Sequence, residues 1–175
     1  MKFSLVDEIP HPRSLVFATH RDRLVDVVTY MPNVSGVVTE SRIEEGDLVH
    51  LVNRWTGAST EIPAPLRPLV KPELLTWVDR ATWDQGRWRA TWSITLDAVA
   101  DAITAHGENT FLDEGPDTVV QMNGEFVVHP DRIRGVPAFV ARTAAPALER
   151  FVVSLLQPNL RRSNTAVRQY IDDHP

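Results

Sequence analysis

Cysteine is absent from the 175-residue chain. That excludes disulfides, thiol nucleophiles and cysteine-based metal centres, and it fits a reducing compartment. Positive charge is not in surplus either: 18 Lys and Arg stand against 23 Asp and Glu, for a net charge of −5. Binding a phosphate backbone calls for clustered cations, so nucleic acid is not an expected partner. No apolar run approaches the length of a membrane span. The start, MKFSLVDEIPHP, is too short and too acidic for a signal peptide, which makes a cytoplasmic location the expectation. The histidines (His11, His20, His50, His106, His129 and His174) are scattered without ligand spacing, so no metal and no cofactor is expected. GxSxG, Walker, GxGxxG and HExxH motifs are all missing. Repeats and low-complexity tracts are missing as well, and the length suits a single domain over residues 1–175.

What is present is a long series of alternating segments. Residues Lys2 to Ile9 place Phe3, Leu5 and Ile9 on one side and Lys2, Ser4 and Glu8 on the other, the pattern of a half-buried strand. Pro12 opens a short helical region through Met31, broken near Arg21 and Asp22. Val34–Glu44 and Leu48–Trp55 read as a hairpin about Glu45-Gly46-Asp47. Gly57 to Pro72 is a proline-punctuated connector. Strands follow over Glu73–Asp84 and Arg87–Leu96, turned at Gln85-Gly86. Ile103–Leu112 and Thr118–His129 make a last hairpin. One wet and one dry face along each strand is what an antiparallel sheet covered on one side requires.

Arg134 to Leu156 then changes period. Val136, Phe139, Val140, Ala147, Leu148, Phe151, Val152, Leu155 and Leu156 share one face of a 3.6-residue helix. Pro146 removes the amide that would bond the carbonyl of Arg142 and kinks the helix, at about 3 kcal/mol in a straight one. Small residues surround it at Ala141, Ala144, Ala145 and Ala147. Kink and small side chains fit either a chamber between helix and sheet or tight alanine packing on a curved sheet. The expected fold is therefore α+β, a curved antiparallel sheet of six to seven strands wrapped around a long C-terminal helix.

That order of elements, from KFSLVDEI to FVVSLL, resembles the helix-grip fold of the START-like superfamily, which includes the major birch pollen allergen, polyketide cyclases and bacterial lipid-binding proteins. The segment IPAPLRPLVKPELLTWVDRATW also looks like bacterial members of unassigned function. The resemblance implies one START-like ligand-binding domain with an apolar pocket between helix and sheet. The superfamily shares no catalytic signature, so no functional residue carries over by position.

The candidate cavity set is Trp55, Trp77, Trp92, Asn53, Asp79, Asn109, Met122, Phe139, Thr143, Ala147 and Phe151. The tryptophans fall on apolar registers and read either as an aromatic wall or as core packing, the commoner fate of inward aromatics. Trp83 and Trp88 share those registers. Asn53, Asp79 and Asn109 are polar residues in apolar registers, directed inward unless a bulge or rim position solvates them. A buried Asp79 needs a partner, and a raised pKa there makes it the one candidate for acid–base catalysis. His106 and Glu108 share a strand face on which they could pair, although a solvated outer face is the commoner home for such residues. The tail, QPNLRRSNTAVRQYIDDHP, carries Arg161, Arg162 and Arg168. These fit a transient contact with an anionic membrane, or a solvated terminal helix whose Leu160, Val167 and Ile171 dock on the body or a second subunit. The protein is then a monomer or a homodimer. Three functions are open: binding or transfer of a hydrophobic small molecule or lipid, a cyclase, dehydratase or hydrolase using the same cavity, and a structural domain with a filled core.

Overall fold

The alternating segments form a single antiparallel sheet. The computed structural model describes residues 1–58, 75–96, 103–129, 132 and 160–175. In chain order these give β1 (Lys2–Ile9), α1 (Arg13–Asp22), α2 (Leu24–Val27), a 3-10 turn (Val28–Tyr30), β2 (Val34–Glu45), β3 (Leu48–Gly57), β4 (Thr76–Asp84), β5 (Arg89–Leu96), β6 (Ile103–Glu114) and β7 (Asp117–Val128). Residues 160–173 are helical. The seven strands lie in the order β1-β7-β6-β5-β4-β3-β2, and every neighbouring pair is antiparallel. Most of the proline connector, the long segment over Arg134–Leu156 with its Pro146 kink, and the candidates Phe139, Thr143, Ala147 and Phe151 lie outside the described residues.

Two hairpins turn tightly for a chemical reason. Glu45 pairs with Leu48 and Glu114 with Asp117, leaving Gly46-Asp47 and Gly115-Pro116 as the loops. Gly46 and Gly115 have φ of 61° and 76°. A positive φ at the first loop position is what a type II′ turn demands, and only glycine adopts it without strain. The break between α1 and α2 falls at Arg23, whose φ of −115° leaves the helical range.

One strand begins later than its pattern suggests. The turn runs through Trp88, with φ of 52°, and β5 starts at Arg89 rather than Arg87. Trp88 therefore leaves the strand register. Its ring meets the edge of Phe17 at 5.3 Å and lies beneath the Arg13 guanidinium at 4.5 Å. Packing on α1 wins over alternation there. On the outward face His106 and Glu108 are solvated and each meets a neighbouring strand rather than the other: Glu108 binds Arg89 at 3.0 Å, and His106 faces Glu125 at 3.9 Å.

Phe17 holds α1 against the sheet. It is fully buried and makes edge contacts with Trp83 at 5.2 Å and Phe111 at 5.1 Å. On the C-terminal helix, Ala166, Val167, Tyr170 and Ile171 are buried at helical spacing. The Asn164 amide donates to Asp7 at 2.8 Å and Arg23 donates to the Tyr170 hydroxyl at 2.9 Å, tying this helix to β1 and the α1–α2 corner. Arg161 and Arg168 face Asp7 and Asp172, each at 3.6 Å. No described helix is long and apolar enough to cross a membrane.

The sheet's middle rests on a glycine pair. Gly107 and Gly124 are direct partners in β6 and β7, with Trp92 opposite Gly107 and Phe3 opposite Gly124. A Cβ on Gly107 would sit 2.3 Å from the Asn123 carbonyl oxygen and 2.5 Å from the Trp92 ring. A Cβ on Gly124 would sit 2.6 Å from the Phe3 ring. The two rings lie over the glycines and stack with centroids 6.3 Å apart. Gly107→Ala is expected to destabilise the protein by about 2–3 kcal/mol through overpacking, a fall in Tm of roughly 5–10 °C. Gly36→Ala, where a Cβ meets nothing within 4 Å, serves as the control and should leave Tm within a degree or two of wild type; thermal unfolding of both variants is the check.

Candidate functional site

Because side chains alternate on each strand, one register choice decides what the inner face presents. β3 presents Leu51, Asn53 and Trp55; β4 presents Trp77, Asp79, Ala81 and Trp83; β5 presents Ala90, Trp92, Ile94 and Leu96. With Asn109 on β6 and Met122 and Phe126 on β7, they line a cavity of about 230 Å³. Its described wall is completed by His20 of α1, Leu24 of α2, Met31, Asn33 and Val34, and Leu160 and Ser163 of the C-terminal helix. Trp55, Trp77, Trp92, Asn53, Asp79, Asn109 and Met122 thus line one cavity. A wider groove of about 810 Å³ lies on the outer face over Gly107 and Gly124. Its walls carry Lys2, His106, Glu108 and Glu125, mostly solvated and in part paired with one another, and it lacks apolar enclosure.

Two polar devices sit on the inner face. The first is a rung across three strands, with Thr39 opposite Asn53 and Asn53 opposite Asp79. The Thr39 hydroxyl donates to Asn53 Oδ1 at 2.9 Å. That contact fixes which end of the amide faces Thr39 and leaves the Asn53 NH2 group for Asp79, its direct partner across the strands, whose carboxylate form it favours. Burial raises the Asp79 pKa to about 6, against the smaller opposing pulls of Asn53 and of Arg80 on the outer face. What accessibility Asp79 retains opens onto the cavity it lines. The second device is the Trp92 indole, which donates to Asn109 Oδ1 at 2.9 Å. Gly107 gives the indole its space and Asn109 catches its N–H, so the ring orientation is set from two sides.

His20 is the residue that motif and strand-register reasoning passes over. It follows Val16 by four and Phe17 by three, on the buried stripe of α1, and that spacing is the signal that could have found it. It packs on Phe111 and Trp83, with centroids at 5.5 and 6.3 Å. Burial lowers its pKa to about 4, so the imidazole is neutral at pH 7. Asn33 and Ser163 carry no comparable signal in the sequence. Among the described residues, four on the wall bear buried polar atoms without a hydrogen-bond partner: His20 Nε2, Asn33 Oδ1, Trp55 Nε1 and Trp83 Nε1. Such atoms cost about 1–3 kcal/mol each, and their concentration around one cavity marks it off from the rest of the core. The described residues contain no cluster of His, Asp and Glu able to hold a metal ion.

The antiparallel sheet with β1 beside β7, the helices at the β1–β2 junction and the C-terminal helix make up a fold that recurs among solved structures of low sequence identity. Among solved structures the chain is similar to TTHA0849 from Thermus thermophilus, with TM-score 0.68 and 17% identity over 97% of this chain and 95% of that one. It is also similar to the Zhui aromatase/cyclase from a Streptomyces species, with TM-score 0.67 and 16% identity over 98% and 93% of the two chains. Norcoclaurine synthase from Thalictrum flavum shares the fold at TM-score 0.62 and 11% identity, over 99% and 87%. No family model and no curated protein matches the chain in sequence.

The two shifted groups act on stability with opposite signs. Unfolded His20 takes up a proton below 6.5 while the folded form stays neutral to about 4, so folding loses about 3 kcal/mol as pH falls across that window. Folded Asp79 is protonated below about 6 while the unfolded form stays ionised to 3.8, so folding gains about 3 kcal/mol as pH falls. Asp79→Asn should therefore be more stable than wild type by about 2–3 kcal/mol at pH 7 and equal to it near pH 4. Urea unfolding of both proteins at the two pH values checks this, and a difference independent of pH would contradict it.

Proposed function

We propose that the protein binds a small, predominantly apolar molecule between the inner face of the sheet and the helices that cover it. The observation that carries this reading is the cavity itself: an apolar wall rich in tryptophan, with polar groups converging at Asn53–Asp79 and Trp92–Asn109. A volume of about 230 Å³ exceeds the roughly 150 Å³ that accepts benzene in an apolar site. It falls below the roughly 300–1,000 Å³ of sites for drug-sized ligands. The occupant is then a ring or fused pair of rings, or a short chain. The fold neighbours support a ligand-holding role: one is an aromatase/cyclase and another a norcoclaurine synthase. The reading keeps a single START-like domain over 1–175, with residues 134–156 as a long helix gripped by the sheet, in the cytoplasm.

A second reading, an enzyme of the cyclase, dehydratase or hydrolase kind, is favoured by Asp79. A carboxyl group with a pKa near 6 on a cavity wall can give or take a proton near neutral pH. Its amide neighbour Asn53, held by Thr39, would orient it. Binding without turnover separates the two readings.

The binding reading is tested with 2-naphthol as probe, following quenching of tryptophan fluorescence. Wild type should show saturable quenching. Ala81→Phe, which fills the middle of the cavity floor between Trp83 and Asp79, should weaken the probe at least about tenfold, some 1.4 kcal/mol, with an unchanged far-UV spectrum. Equal affinity in the two proteins would remove the cavity from consideration.

A further inference from the structure

The cavity wall is apolar but not electrically neutral. Among its described residues Asp79 is the one charged side chain at pH 7, because His20 is held neutral by burial and no Lys or Arg is present. Among the described residues Asp79 takes part in no salt bridge; its neighbours there are the uncharged amide of Asn53 and, at longer range, Arg80, which points from the opposite face of β4. Removing one partner of a buried ion pair is costly because the other charge stays uncompensated, and Asp79 stands in that position with no cation of the described cavity wall beside it. A carboxylate so placed attracts a cation from outside and repels an anion.

Its surroundings suit an organic cation. Along β4, Trp77 is two residues before Asp79 on the same face. Across the sheet, Asn53 and Ile94 are its direct partners, with Trp55 and Trp92 on the diagonals. Trp55 and Trp77 stack with centroids 5.7 Å apart and planes 11° from parallel, forming one continuous aromatic surface beside the carboxylate. Indole faces attract ammonium groups, and an aromatic cage around a negative charge is the arrangement by which amines are recognised.

We propose, resting on the reading of this cavity as a ligand site, that its occupant is a small aromatic or aliphatic amine whose ammonium group lies against Asp79 and the faces of Trp55, Trp77 and Trp92. Asn53, held by Thr39, is the positioning residue: it keeps the carboxylate turned to the cavity. The Thr39–Asn53 contact also leaves the Asn53 amide donor for Asp79, so the carboxylate keeps lone pairs for the ligand.

The test uses the intact chain and three probes of similar size and shape: 2-phenylethylamine, 2-phenylethanol and phenylacetate, titrated calorimetrically at pH 7.5. The amine should bind at least about tenfold tighter than the alcohol, and the alcohol tighter than the anion. In Asp79→Asn the amine's advantage should vanish while the alcohol's affinity holds within about threefold. In wild type at pH 5 the advantage should also shrink, since protonation of Asp79 discharges the site while the amine stays charged. His20, the other titratable group on the described wall, gains charge only near pH 4. Arg80 on the outer face does not titrate in this range. If the alcohol or the anion binds as tightly as the amine, the amine assignment is overturned and the ligand cavity stands. If the advantage survives in Asp79→Asn, the role of Asp79 is overturned. If none of the three binds, while 2-naphthol also fails, the cavity reading falls with it.

Discussion

The Asn53–Asp79 pairing is the contact on which the character of the cavity depends. Seven strands in uninterrupted antiparallel order put alternate residues on the inner face, and that register seats a carboxylate among tryptophans. A one-residue slip in β4 would send Asp79 to solvent and bring Arg80 inward. The register is held from both sides. Edge strand β2 supplies Thr39, and its bulge between Thr39 and Ser41 lets the strand twist away beyond that rung. On the other side, Gly107 makes room for Trp92, and Asn109 fixes its ring.

The charge balance follows from this geometry. Burial shifts both groups toward their neutral forms: His20 is neutral at pH 7, whereas Asp79 stays ionised there and takes up its proton near pH 6, so their titrations work against each other in acid stability. The wall also retains unpartnered polar atoms on His20, Asn33, Trp55 and Trp83. A core selected for stability alone would replace such groups with apolar ones of similar volume.

The fold neighbours frame the reading without supplying it. TTHA0849 and the Zhui aromatase/cyclase share the architecture over nearly the full length of both chains at 17% and 16% identity. At that distance the scaffold is common property and the site belongs to each chain separately.

The sequence by itself determined an antiparallel sheet of six to seven strands, the turns about Gly46 and Gly115, and the inner and outer faces of β3 and β4. Period-two alternation and glycine's freedom at positive φ are local properties, and they survive in any tertiary setting. Val167 and Ile171 docking on the body was equally legible, from helical spacing. Other features needed the assembled molecule. Trp88 obeys alternation on paper, yet contacts with Phe17 and Arg13, distant in sequence, draw it into the turn. His106 and Glu108 share a face as read, but each takes a partner from the neighbouring strand. His20 lies on a helix far along the chain from the strands whose cavity it walls. The proton affinities of His20 and Asp79 depend on desolvation by groups from several elements at once. Burial is a sum over the whole fold, and no local pattern encodes it.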